Sequence, residues 1–153
     1  MIKLVAIGNR FMKDDGIAIK VAENLEQSLH NLNVEVIFGE TDCQSSFCLL
    51  NQEDFVFILD AFYEGAEPGS IHLFSLKNAM ALSSGSLMQH DMSIIDLMKL
   101  YKSKWRGYFI GVEIAELDFG DELSSVLQGK FQQICLEVEK NIEKIILEEI
   151  NYA

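Results

Sequence analysis

Asp54-Phe55-Val56-Phe57-Ile58-Leu59-Asp60 is the most apolar run in the chain, five apolar residues closed at each end by an aspartate. A strand apolar on both faces belongs in the centre of a parallel sheet, with helices covering either side. Residues 2–7, a short apolar run with β-branched Ile2, Val5 and Ile7, read as a buried first strand stopped by Gly8 and Asn9. From Gly16 to about Leu29 the spacing turns helical, through Ile17, Ala18, Val21, Ala22, Leu25 and Leu29. Asp14 and Asp15 stand just before it, where an N-cap acceptor and negative charge are favoured. Strand, polar loop and helix open an α/β unit.

The same reading extends to the C-terminus. Residues 34–38 form a second strand, residues 45–50 a short helix, and residues 70–75 a fourth strand after a loop that holds the only proline, Pro68. That loop is too short for a crossover helix, so the fourth strand should run antiparallel to the third. Residues 77–90, with Ser83-Ser84-Gly85-Ser86, read as an irregular loop. Residues 93–101 form a helix, residues 107–112 a fifth strand and residues 122–149 a long terminal helix. The expectation is an α/β fold: one three-layer α/β/α domain over residues 1–153, with a mostly parallel five-stranded sheet and one antiparallel strand.

Bulk properties narrow the function. A length of 153 residues fits one domain. The formal charge is −12 and the pI near 4.5. Association with nucleic acid or an anionic membrane would begin against repulsion, so neither is an expected partner; a metal cation or a basic peptide is compatible. The three cysteines, Cys43, Cys48 and Cys135, have no zinc-ribbon spacing and read as reduced thiols. With no signal peptide or membrane span legible, a cytoplasmic protein, working as a monomer, is expected.

Sites in open α/β sheets collect at the carboxyl ends of strands. Asn9, Asp14 and Asp15 follow the first strand, Glu40, Thr41 and Asp42 the second, Asp60 ends the third, and Glu113, Glu116 and Asp118 follow the fifth. Arg10 and Lys13 are the cations of this rim. Crowded carboxylates repel one another unless a proton or cation intervenes, which suggests a metal site. Among the histidines, His30 reads as a surface cap at the end of the first helix and His72 as a packing or surface residue in the fourth strand. His90 ends a loop and precedes a helix, as a ligand carried to a site would; from position alone a structural role still stands ahead. The first loop is neither a dinucleotide fingerprint nor a Walker loop.

Gly8-Asn9-Arg10-Phe11-Met12-Lys13-Asp14-Asp15-Gly16-Ile17-Ala18 resembles the Gly-Asn-x-x-x-x-Asp-Asp/Glu-Gly-x-Gly opening of the hydrogenase maturation proteases. Leu59-Asp60-Ala61, Met88-Gln89-His90-Asp91, Pro68-Gly69-Ser70 and Ile110-Gly111-Val112-Glu113 resemble further family motifs in the same order. Two departures stand out. Phe38-Gly39-Glu40-Thr41 occupies the place of Asp-Gly-Gly-Thr, and the proline usual after the fifth strand is missing near Ile114-Ala115.

The resemblance implies an endopeptidase that removes the C-terminal extension from a nickel-loaded hydrogenase large-subunit precursor, a metal-dependent enzyme. It implies Asp15, Asp60 and His90 as metal ligands and catalytic residues, with the nickel supplied by the substrate. Two carboxylate oxygens and one imidazole nitrogen suit a borderline divalent ion and leave positions open for water and substrate. No serine, cysteine or threonine stands beside a plausible base, which disfavours a covalent mechanism. The alternatives are a non-proteolytic metal-binding maturation chaperone or sensor on the same scaffold, and a small-molecule binder without metal.

Overall fold

The computed structural model describes residues 1–82 and 93–150. The aspartate-bounded run is indeed central: β3 (Phe55–Phe62) lies between β1 (Ile2–Ile7) and β5 (Arg106–Glu113), parallel to both. β2 (Val34–Glu40) pairs in parallel with the outer side of β1, and β4 (Ile71–Ser75) pairs antiparallel with the outer side of β5. The sheet order is therefore β2-β1-β3-β5-β4. The fourth strand does run against the third, but its neighbour is β5, which inserts between them.

Period-two alternation sends each central strand to two cores. Leu4, Ala6, Phe57, Leu59, Ile110 and Val112 pack on one face with α1 (Ile17–Asn31) and α5 (Ser125–Ile145). Val5, Ile7, Val56, Ile58 and Phe109 pack on the other with α2 (Cys43–Cys48), α3 (Leu76–Leu82) and α4 (Ile94–Leu100). The result is the expected α/β/α layering with a mixed five-stranded sheet.

Four local readings need correction. The segment read as a loop from residue 77 begins as helix α3. Leu76 and Ala79 lie one turn apart and are both buried, Asn78 N–H donates to Ser75 Oγ, and the leucine, lysine, alanine and methionine here are strong helix formers. The serine-rich composition farther along hid it. Asp14 and Asp15 do not cap α1. A 3-10 turn, Lys13–Gly16, precedes that helix, Gly16 is its N-cap, and no side chain caps it. The terminal helix starts at Ser125 rather than residue 122, because Ser124 is its cap and accepts from Leu127 N–H. The short second helix starts at Cys43 because Asp42 caps it, accepting from Ser45 N–H at 2.9 Å.

One buried pair carries no signal in the sequence. Lys3, the second residue of β1, is 5% exposed and its Nζ lies 2.9 Å from Asp54 Oδ2. Lys3 also donates to Leu49 C=O, and Asn51 N–H donates to Asp54. These contacts tie the amino ends of β1 and β3 together, opposite the functional edge.

Candidate active site

The β1–α1 loop folds back on itself at the carboxyl end of β1. Gly8 sits at φ 148, and a Cβ there would fall 2.1 Å from Asp15 C=O, so only glycine fits the approach. Asn9 then works twice: its N–H donates to Asp15 Oδ2 at 2.9 Å, and its Oδ1 accepts from Phe11 N–H at 2.9 Å. The loop thereby holds Asp15 in one place, with the residue buried at 8% exposure.

Asp60 comes from the neighbouring strand. It continues the Val56, Ile58 side of β3, is 2% exposed, and accepts from Ala61 N–H at 2.7 Å. Burial first, and then the charge of Asp15, push its carboxyl well above the ordinary range; the Ala61 hydrogen bond opposes them. Two carboxylates, one from the turn that follows β1 and one from the neighbouring strand β3, thus lie within electrostatic reach of each other. Cys43, at the start of α2, shares this surrounding. Burial and the charge of Asp60 raise its thiol, so it stays protonated and is a poor nucleophile.

The other rim carboxylates have different tasks. Asp14 is fully buried and gathers the β5–α5 loop: it accepts from Ala115 N–H (3.0 Å), Glu116 N–H (2.8 Å), Ser124 N–H (2.7 Å) and Ser124 Oγ (2.8 Å). Glu113 is also fully buried, facing His72 Nε2 at 3.1 Å and accepting from Glu64 N–H at 3.0 Å, so it anchors the β3–β4 loop. Glu116 pairs with Lys13 at 2.9 Å. Arg10 pairs with Glu23 at 2.5 Å and with Glu40.

Both departures from the family pattern fall at positions the structure describes. Glu40 adopts φ 51, a left-handed conformation that favours glycine, which suits a motif carrying a second glycine there. Here a glutamate is held in that conformation and its carboxylate takes the Arg10 ion pair. Proline is unsuited to the start of the β5–α5 loop because Ile114 N–H donates to Phe62 C=O and Ala115 N–H to Asp14.

His90 lies outside the described residues. Among those residues, no group of three or more His, Cys, Asp or Glu is arranged to hold a metal ion. The structure therefore brings together two of the three residues singled out, Asp15 and Asp60. The part played by Asp14 was missed: its aspartate read as a cap, and its partners lie 101 to 110 residues away in sequence.

A sequence model of the hydrogenase maturation protease family, described as HycI, matches residues 19–146. The chain belongs to the hydrogenase maturation protease family. That family comprises endopeptidases, hydrolases that act on peptide bonds. Solved structures share the fold. The [NiFe] hydrogenase maturation protease HybD from Thermococcus kodakarensis matches at TM-score 0.72 and 28% identity, over 91% of this chain and 97% of that one. The hydrogenase maturating endopeptidase HybD from E. coli matches at TM-score 0.77 and 18% identity, over 94% and 92%. The endopeptidase HycI from Escherichia coli matches at TM-score 0.71 and 20% identity, over 92% and 90%. No curated protein matches the chain significantly. No helix among the described residues is long and apolar enough to cross a membrane.

Proposed function

We propose that this family member removes the C-terminal extension from a nickel-loaded hydrogenase large-subunit precursor, acting as a monomer in the cytoplasm. The observation that carries this reading is the Asp15–Asp60 pair. Asp60 is buried beside a second carboxylate, an arrangement unfavourable for two anions alone and favourable once a divalent cation lies between them. The donor set fits a metal. Asp15, Asp60 and His90 would hold the nickel, which belongs to the substrate and arrives with it. Bound there, it supplies Lewis acidity toward the scissile carbonyl or a water.

The chain's own contribution is orientation. Asn9 N–H and Ala61 N–H each fix one carboxylate before substrate arrives. Asp14 holds the β5–α5 loop against the same edge. Cys43, kept protonated, offers no thiolate for an acyl-enzyme. The free state of Cys43, Cys48 and Cys135 suits a reducing compartment.

The test mixes purified protein with the cognate precursor, nickel-loaded or nickel-free, and follows release of the C-terminal peptide by mass spectrometry. Cleavage of the loaded form alone is expected. Binding of the loaded precursor without cleavage would instead select the chaperone or sensor role.

A further inference from the structure

The loop that carries Asp15 is joined to the β5–α5 loop by backbone hydrogen bonds. Gly120 N–H donates to Phe11 C=O at 2.9 Å, Lys13 N–H donates to Gly120 C=O at 2.8 Å, and Met12 and Gly120 form a parallel bridge. Phe11 and Phe119 each precede that bridge by one residue, so they occupy matching positions on the joined chains. Their side chains are 68% and 84% exposed, with Leu117 nearby in sequence at 44%. Single exposed apolar residues need no explanation, but two phenylalanines at matching positions on a braced loop pair, at the edge that holds Asp15, mark a contact surface. The brace is firm: Asp14 pins one loop to the other, and the Lys13–Glu116 ion pair adds a side-chain tie.

Charge selects the occupant. Asp118, Asp121 and Glu122 are exposed on the same β5–α5 loop. The two cations of the neighbouring loop already face carboxylates: Arg10 faces Glu23 and Glu40, and Lys13 faces Glu116. The formal charge of the whole chain is −12. Lys20 places its ammonium on Asp121 C=O, but Glu116, Asp118, Asp121 and Glu122 outnumber Lys13 and Lys20, so the apolar pair is bordered by net negative charge and fits a peptide that carries both apolar and basic side chains.

We infer that Phe11 and Phe119, with Asp118, Asp121 and Glu122, form the docking surface for an apolar, basic segment of the precursor flanking the scissile bond. This rests on the endopeptidase reading above, and it assigns the contact that brings the substrate chain to the Asp15–Asp60 pair.

The test uses the Phe11→Ser/Phe119→Ser double variant and the full-length, nickel-loaded precursor. Precursor binding is measured by biolayer interferometry and cleavage by steady-state kinetics. Kd and KM should each rise roughly tenfold or more, and the loss in kcat/KM should fall mainly on KM. A Phe11→Leu/Phe119→Leu pair, which keeps apolar surface, should lose less. Replacing Asp118 and Asp121 by Asn and Glu122 by Gln should flatten the salt dependence of binding. If the wild type cleaves and the serine pair binds and cleaves as well as it does, the docking surface is refuted while the endopeptidase reading stands. If the wild type neither binds nor cleaves, the endopeptidase reading fails and takes this surface with it. Should the serine pair prove unstable, Phe119→Ala alone decides, with an unchanged Kd counting against the surface.

Discussion

Asp14 and Asp15 are neighbours in sequence with opposite expected roles, and replacing Asp14 separates them. Asp14→Ala leaves four donors without their acceptor: three backbone N–H groups and the Ser124 hydroxyl. A buried donor left unsatisfied costs about 1–3 kcal/mol. The Ser124 N–H is fully buried and bears the whole penalty; the Ala115 and Glu116 groups are partly buried and can recruit water. The hydroxyl can rotate toward another acceptor. A loss of about 3 kcal/mol follows, a large share of the roughly 5–15 kcal/mol that holds a domain together. For a chain of this size that is a fall in Tm of about 6–12 °C. Urea unfolding read by tryptophan fluorescence suits the measurement, since Trp105 is the only tryptophan and is 5% exposed beside Phe47. Asp14→Asn, which keeps one acceptor oxygen, should lose less than Asp14→Ala. A loss below about 1 kcal/mol for Asp14→Ala would refute the reasoning that Asp14 is the pin between the two loops.

Two further outcomes follow from other parts of the structure. Burial pushes the Asp54 carboxyl up, but the Asn51 N–H and the Lys3 ammonium outweigh it and hold it below its ordinary range. A depressed carboxyl stabilises the fold above its unfolded value, near 3.9 for a free aspartate, and that stability is lost as pH falls through the folded value. Asp54→Asn should therefore cost roughly 3 kcal/mol at pH 7, the low end for breaking a buried pair, with the difference from wild type shrinking below about pH 4 in acid denaturation curves. Gly8→Ala should displace Asp15 and abolish cleavage while lowering stability by at least about 2 kcal/mol, because its Cβ would overlap Asp15 C=O in a strained backbone conformation; a fully active, equally stable variant would show that the loop has room.

How much of this was legible in the sequence depended on whether a feature is local. The layering follows from patterns within single segments: apolar at every position in residues 55–59, helical spacing from Ile17 to Leu29. Asp15 and Asp60 were legible as rim carboxylates because a strand's carboxyl end is itself a local feature, but only the family resemblance singled them out from the other acids of that rim. The roles of Asp14, Lys3 and Glu113 were not, since each depends on a partner from another strand or loop. A lysine inside an apolar strand gives no sign of the aspartate it will meet. The position of β4 beside β5 rather than β3 is likewise a matter of how distant segments compete for one edge. Helix α3 was hidden because Leu76–Leu82 runs directly into the serine-rich residues that coloured the reading of the whole segment.

The central claim is that Asp60 serves the substrate's nickel and not the fold. A carboxyl raised by burial and by Asp15 loses stability as pH climbs between its ordinary and raised values, and an amide carries no such penalty. The decisive measurement takes Asp60→Asn, shown to be folded by its melting curve at pH 7, and follows its cleavage of the nickel-loaded precursor beside the wild type. The expected result is a Tm equal to or slightly above wild type with cleavage reduced at least about a hundredfold, since even the outer hydrogen-bond partners of metal ligands matter by 10–100-fold. Cleavage at the wild-type rate by that folded variant would contradict the account.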